Sequence, residues 1–494
     1  MAEIELSSTA GLLTFVGVLL LVGVLFSRIS RRWPRLGIPS FLLFMAVGML
    51  AGSEGPGGID FEDYRLSFRI GTVALALILF DGGLNTSLAA FRRGLAPALT
   101  LATVGVAGTA ALVAVGARLL GFPWPVAFLI GAVISSTDAA AVFSVLRGSR
   151  LVLRERVGAT LELESGLNDP MAVLLTLALT ASLAQGQTAG LHLLGDVVAQ
   201  LALGTVFGGA AGLAGRALLR WSRLPAGGLY PVLTLAVALV AFGLPTLWNG
   251  SGFLAVYLAG VVLGNSELPY QTGLRRFHDA LAWLGQVVLF LMLGLLSFPS
   301  RILGAAGNGV TLALLAAFVA RPLVVALCLA PFRFRLRDTL FVGWVGLRGA
   351  VPILLAIFPV LGAVPGSEAV FDVVFCVVVV GAFLPGATVA WVARRLGIAT
   401  EGAPPPEALL EISSLQPLGA QVVTYFVEPA LPVCGAALAD IPFPPGASVM
   451  LIVRGGTLVA PRGNVILEPG DHVHTISPAA DRPFLDLLFG RAQE

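Results

Sequence analysis

Apolar runs, most of them about 18 residues or longer, recur from residue 10 to residue 393, separated by short polar connections. A run of that length crosses a bilayer as a helix. The pattern predicts thirteen spans, at 10–28, 37–53, 67–86, 95–119, 123–147, 156–185, 190–221, 229–248, 251–265, 278–298, 302–331, 335–360 and 367–393. Alternate connections are rich in arginine. They hold Arg28, Arg31, Arg32 and Arg35, then Arg92 and Arg93, then Arg147, Arg150, Arg154 and Arg156, and the series continues through Arg216, Arg220, Arg223, Arg275, Arg276, Arg333, Arg335, Arg337, Arg394 and Arg395. The opposite set holds few, such as Arg65, Arg118 and Arg301. The arginine-rich side is expected to be cytoplasmic, with the N-terminus outside and everything after Arg395 inside. A missed or extra span would scramble the alternation.

Thirteen spans divide as six, one and six. The first half enters from outside and the second from inside, so the halves are expected to be inverted repeats, an arrangement of secondary transporters whose sites form where helices break. Break signals fall in the fifth span of each half. One is Ile134-Ser-Ser-Thr-Asp138 and the other is Gly346-Leu-Arg-Gly-Ala-Val-Pro352. Freed backbone groups at such breaks must line a polar cavity or be satisfied by protein.

The character changes after Arg395. Glu401-Gly-Ala-Pro-Pro-Pro406 reads as a linker. Short strands are expected at Val422–Val427, Ser448–Val453, Gly456–Ala460 and His472–Ile476, with Gly- and Pro-rich turns between them. About seventy residues make a small module, marginal alone and expected to pair with a copy of itself.

Composition agrees with this division. Of 494 residues, 57% are hydrophobic and 12% charged, against roughly a quarter charged in a soluble protein. A net charge of +2 gives no reason to expect nucleic acid as a partner. All 30 basic residues are arginine, which removes lysine chemistry, and nothing resembles a Walker motif. Cys328, Cys376 and Cys434 have neither disulfide nor metal spacing. The first apolar run follows the acidic Met1-Ala-Glu-Ile-Glu-Leu, unlike a cleavable signal peptide, and is read as a true span.

The candidate chemistry sits in Glu164-Ser-Gly-Leu-Asn-Asp-Pro170, inside a long apolar run. A carboxylate at membrane depth costs several kcal/mol and marks an ion or proton path. Asp169 is the central candidate. A buried carboxylate can hold a proton or a cation but poorly both, which is the minimal chemistry of exchange. The plainer alternative is neutralisation by a neighbouring arginine. Ser165 lies one turn before Asp169 on the same face and offers a neutral oxygen. Asp138, with Thr137, is a second centre: either a ligand of the cation or a cap on the half-helix that follows. Asp81 closes the apolar run Val73–Phe80, as a further ligand, an entrance charge or an interfacial cap. Arg321 and Arg348 lie deep in spans and need acidic partners. Glu164 is the expected partner of Arg348, with Asn168 bridging that pair to the ion site, and Arg321 is expected to act on the site electrostatically or structurally. His472 and His474 alternate on a strand; a surface strand is the expectation, and metal chelation the lesser one.

Five motifs carry a family resemblance: Leu79-Phe-Asp-Gly-Gly-Leu84, Ser136-Thr-Asp-Ala139, Glu164-Ser-Gly-Leu-Asn-Asp-Pro170, Ala320-Arg-Pro322 and Gly346-Leu-Arg-Gly-Ala-Val-Pro352. Together, across about residues 10–396, they resemble the monovalent cation/proton antiporters in their NhaP-like branch. The resemblance implies an all-α membrane domain over 1–396 of the NhaA/NapA-like antiporter fold, with crossed, broken helices. It implies a homodimer through helices at about 10–86 and 229–298, and a core of helices at about 95–185 and 302–393 that slides like an elevator. Asn168-Asp169 matches the form typical of electroneutral members. By the same match Asp169 carries ion and proton, Ser165, Thr137 and Asp138 surround the ion, Glu164 and Arg348 stabilise the core, and Asp81 matches an acidic position less closely.

After a linker at 397–411, residues 412–485 resemble a TrkA-C (RCK-C) regulatory domain, on Leu451–Pro461 and Leu467–His472, with 486–494 as a tail. The combination suggests a potassium/proton antiporter of the bacterial inner membrane. It would be a transporter without catalytic residues, cofactor or bound metal, with the cation, the proton and membrane lipid as partners. A small-molecule, nucleotide-type regulator at the tail is a further expectation. Three alternatives stand beside this reading: sodium/proton exchange by the same mechanism, an RCK-gated channel and a transporter-like sensor. The channel reading lacks a Thr-Val-Gly-Tyr-Gly filter.

Overall fold

A computed structural model describes residues 20–25, 40–184, 192–401 and 420–490, with a few isolated positions besides. Most of the first expected span, 10–28, and of the linker lies outside these residues. Each remaining expected span holds a helix or a helix pair. The membrane helices are α1 (Ser40–Ala51), α2 (Tyr64–Asn85), α3 (Leu88–Thr100), α4 (Val106–Leu119), α5 (Trp124–Ile134), α6 (Ala139–Gly148), α7 (Glu155–Ala184), α8 (His192–Trp221) and α9 (Leu229–Leu247). The series continues with α10 (Gly252–Gly264), α11 (Gln271–Leu295), α12 (Pro299–Leu315), α13 (Arg321–Leu329), α14 (Leu336–Trp344), α15 (Ala350–Leu361) and α16 (Ser367–Leu396).

Among the described residues eight helices are long and apolar enough to cross a membrane, and the bent pair α5–α6 makes a ninth. That is fewer than the thirteen expected. Residues Phe41–Ala51, Gly252–Gly264 and Ala350–Leu361 form apolar helices of 10–17 residues, shorter than the roughly 20 that span a bilayer core unaided.

The two halves share local irregularities. Between α3 and α4 the helix widens into a π-helical segment, Leu101–Gly105, and between α12 and α13 into another, Ala316–Ala320. The next helix of each half is interrupted. α5 stops at Ile134 and α6 starts at Ala139, with a bend of 40°. α14 stops at Trp344 and α15 starts at Ala350. Both interruptions fall at the motifs that predicted them. The long helix that follows carries an internal proline in each half, Pro170 in α7 and Pro385 in α16. Proline cannot donate to the carbonyl one turn earlier, so it weakens the ladder locally.

Glycine sets the closest helix packing. A side chain at Gly83 or Gly260 would collide with the backbone of the other helix, so α2 and α10 pack backbone to backbone.

The tail forms its own small sheet. The strands are β3 (Ala420–Phe426), β4 (Ser448–Arg454), β5 (Thr457–Val459) and β6 (His472–Pro478), after the short β1 (Leu151–Leu153) and β2 (Ala399–Glu401) of the preceding part of the chain. The order is β3-β6-β4-β5, antiparallel throughout. Gly455 and Gly456, at φ 51° and 77°, make the tight turn between β4 and β5. Helix α17 (Arg482–Phe489) lays Leu485 and Phe489 on Val423, Tyr425, Ile452 and Val473, closing an apolar core on one face of the sheet. Tyr425 Oη donates to Asp486 Oδ1 at 2.9 Å. Arg454 clamps the buried Asp471 with two hydrogen bonds of 2.8 Å and also pairs with Glu468.

The expectation of a surface strand with two histidines is corrected. β6 is an interior strand of the sheet, and His472 and His474 are both buried. Thr424, opposite His474 in the ladder, hydrogen-bonds its Nδ1 at 2.9 Å. Burial, with the charge of His472 second, holds His474 below the ordinary histidine range.

Candidate functional site

The two helix breaks meet. The backbone N–H of Asp138, in the first break, donates to the carbonyl of Leu347 in the second at 2.7 Å. Arg348 Nε returns the link, donating to the carbonyl of Ile134 at 3.0 Å, and its Nη1 donates to the carbonyl of Gly346 at 3.2 Å. Each break therefore satisfies backbone groups that the other leaves free, as buried polar backbone requires. Gly349 closes the junction, where any side chain would collide with the carboxylate of Asp138.

Helix α7 supplies the rest. Ser165 Oγ accepts from the N–H of Ala139, the first residue of α6, at 3.1 Å. Asn168 Nδ2 donates to Thr137 Oγ1 at 2.7 Å. Asp169 is 7% exposed and accepts from Ser136 Oγ at 2.5 Å. Asp138 caps α6, accepting from the N–H of Ala141 at 3.2 Å, so its negative charge faces the positive end of that half-helix. The capping role expected for Asp138 is formed.

Five expected residues, Thr137, Asp138, Ser165, Asn168 and Asp169, thus assemble around the first break. Ser136 joins them as a residue that sequence reasoning did not select. Its only signal was its place in the Ser136-Thr-Asp motif. Asp81 stands apart: it lies in the last turn of α2, where Asn85 Nδ2 donates to its Oδ1 at 3.2 Å.

The expected pair of Glu164 with Arg348 is not formed. Glu164 is bound by Arg321, whose Nη1 and Nη2 donate to Oε1 and Oε2 at 2.5 and 2.8 Å. Both partners are nearly fully buried. The physical reason is reach and demand. Arg348 sits inside the second break, where its Nε and Nη1 are taken by the carbonyls of Ile134 and Gly346, whereas Arg321 turns both terminal nitrogens to Glu164. Glu164 therefore ties α7 to α13, and Asn168 braces the first break instead of bridging to that pair.

Three polar atoms of this cluster lack a hydrogen-bond partner, Asn168 Oδ1, Arg348 Nη2 and Arg321 Nε. No group of three or more metal-ligating side chains occurs among the described residues. The arrangement is a buried carboxylate, Asp169, bonded to a hydroxyl, with neutral oxygens, helix termini and the capping carboxylate of Asp138 around the same break. Both arginines of the region are engaged elsewhere.

Known proteins resemble the chain over most of its length. Residues 422–481 match the TrkA-C domain model. The chain is 39% identical over 97% of its length to the K(+)/H(+) antiporter NhaP of Alkalimonas amylolytica, covering 83% of that protein. It is 40% identical, over the same shares, to the K(+)/H(+) antiporter NhaP2 of Shewanella oneidensis. Its fold is similar to that of the sodium proton antiporter MjNhaP1 from Methanocaldococcus jannaschii at pH 8, with a TM-score of 0.66 at 23% identity, covering 78% of this chain and 99% of that one. Residues 13–395 match the model of the transmembrane sodium/hydrogen exchanger, and the chain belongs to that family of monovalent cation/proton antiporters.

Proposed function

We propose that this chain is an electroneutral potassium/proton antiporter in which cation and proton compete for Asp169. The observation that carries this reading is the state of Asp169: buried, bonded to one hydroxyl, and without an arginine partner among the described residues. A bare carboxylate in that position is costly, so the group favours being occupied by a proton or by a cation. Ser136, Ser165, Thr137 and the orphan Asn168 Oδ1 offer the neutral oxygens a dehydrated monovalent cation needs. Asn168 does not titrate, and the charge of Asp138 is held by the start of α6, which leaves one exchangeable group and a one-for-one stoichiometry.

Potassium is favoured over sodium by the names of the two bacterial relatives near 40% identity over nearly the whole chain. The same oxygens bind sodium, so sodium/proton exchange is the second reading. Thirteen crossings, the inverted repeat, the elevator movement, homodimerisation, an inner-membrane location with the N-terminus outside, and regulation through the tail belong to the same proposal. The π-helical segments and helix breaks at equivalent places in the two halves support the repeat.

The test is exchange in proteoliposomes. A potassium gradient is expected to drive an internal pH change that an imposed voltage does not alter, and Asp169→Asn is expected to abolish it while the protein remains folded. Undiminished exchange in Asp169→Asn would overturn the mechanism. Potassium flux without proton movement would point to a channel, and ligand binding without flux to a sensor.

A further inference from the structure

Helix α7 carries a second carboxylate, Glu162, which the ion site does not use. Glu162, Gly166 and Asp169 are spaced four and three residues apart, so they lie along one face of α7. At about 1.5 Å per residue, Glu162 sits about 10 Å from Asp169, toward the Glu155 end of the helix. The arginine pattern reads that end as cytoplasmic.

Tyr257 of α10 lies between the two levels. A β-carbon on Gly166 would fall 2.6 Å from Cε2 and Cζ of the Tyr257 ring and 3.0 Å from its hydroxyl, so the ring lies flush on the bare backbone. Tyr257 is 2% exposed. Its hydroxyl shares a hydrogen bond with Thr86 Oγ1 at 3.3 Å. Thr86 Oγ1 donates to the carbonyl of Gly82 at 2.8 Å, with Glu162 Oε1 at 3.4 Å as a second, competing acceptor. Thr86 itself is 1% exposed and follows the last residue of α2. The charged group of α6 that acts on Glu162 is Arg147.

The mechanical setting gives this relay its meaning. α2 and α10 are joined backbone to backbone through Gly83 and Gly260. α7 carries the ion site. The relay runs from that pair to α7, and the ring that anchors it lies on Gly166, on the Glu155 side of Asp169.

We propose that Tyr257, Thr86 and Glu162 form a gate on the cytoplasmic side of Asp169. The Tyr257 ring blocks the face of α7 between Asp169 and the cytoplasm, and its hydrogen bond to Thr86, with Glu162 beside Thr86 as a further acceptor, holds it shut. Opening the site to the cytoplasm requires α7 to leave the ring and the relay to break. The relay therefore stabilises the conformer closed to the cytoplasm relative to the one open to it. A ligand's apparent affinity from one side scales with the population of conformers open to that side. The gate rests on the antiport reading, and the experiment separates the two.

Half-saturating potassium is measured at each face of the membrane, using inside-out and right-side-out vesicles with a pH-sensitive dye. In Tyr257→Phe and Thr86→Val, each of which removes one hydroxyl, the ratio of outer to cytoplasmic half-saturation is expected to rise about fivefold, the size of one lost hydrogen bond. Glu162→Gln keeps the shape and weakens the acceptor, and a smaller shift of the same sign is expected. A ratio unchanged in all three variants overturns the gate, as does a fall in the ratio. A purely structural role would lower the maximal rate equally from both faces and leave the ratio alone. Should one variant fail to fold, the other hydroxyl lies on a different helix and tests the same bond. Wild-type vesicles that exchange neither potassium nor sodium for protons would overturn the antiport reading itself, and the gate with it.

Discussion

The backbone amide of Asp138 donates to the carbonyl of Leu347 at 2.7 Å, across 209 positions of sequence, and so joins the interruption of one half of the membrane domain to that of the other. Neither break can shift alone without leaving buried donors and acceptors unpaired. Each such group costs about 1–3 kcal/mol. Gly349 permits the close approach. Gly349→Ala is expected to abolish exchange by pushing the second break away from Asp138, while the chain still inserts and purifies intact. Exchange assays beside size-exclusion profiles check it, and full exchange in this variant would show that the junction is not needed.

Glu164 and Arg321 form the buried charged link between α7 and α13. Removing one partner leaves the other as an uncompensated charge. Arg321→Ala is expected to cost about 3–5 kcal/mol of stability. The double variant Glu164→Gln with Arg321→Gln is expected to recover most of that loss, because neither charge remains. Unfolding midpoints in detergent decide this. Equal losses in the single and double variants would mean that the bond geometry, not the charge balance, sets the cost.

Ser136 is the one side-chain donor to Asp169 among the described contacts. Hydrogen bonds to charged groups contribute about 1.5–3 kcal/mol. Ser136→Ala is expected to raise half-saturating potassium by roughly tenfold or more, with the maximal rate falling less. Dye-monitored exchange over a range of potassium concentrations measures the split.

Arg454 neutralises Asp471 inside the tail, where the carboxylate is fully buried. Arg454→Ala leaves that charge unpaired and is expected to unfold the tail selectively. Limited proteolysis of the full chain would then cut within 420–490 and spare the membrane helices. An uncut tail would contradict the clamp.

Burial of His474 implies a pH dependence of the tail, with a sign that follows from the direction of its shift. Its folded-state pKa lies below the unfolded value of about 6.5. The neutral ring is fully compatible with the fold above about 6.5, and stability is lost as pH falls from there through the folded value. Protease resistance of residues 420–490 is expected to drop between pH 7.5 and pH 5.5, and His474→Gln is expected to flatten the drop. Resistance that rises on acidification would refute the assignment.

Much of this protein is legible along the chain. Helix positions follow from apolar run length, since a bilayer tolerates only backbone that bonds to itself. Both helix breaks were visible as polar and glycine residues at matching places in two halves. The site segment stood out because a carboxylate in an apolar run is costly unless something uses it. The four strands of the tail were readable from their alternation and turns. Other features depend on which helices cross and where. That cost says Glu164 needs a cation but not which one; whether Arg321 or Arg348 reaches it is set by helix crossings between residues 157 positions apart. Ser136 looked like its neighbour Ser135 until the first break turned one hydroxyl toward Asp169 and the other back to Ala132. The alternation of His472 and His474 marked a strand, and only the strand order placed it in the interior. Sequence fixes what each segment must bury or bond locally, while the partner at long range is chosen by the packing that brings distant segments within about 3 Å of one another.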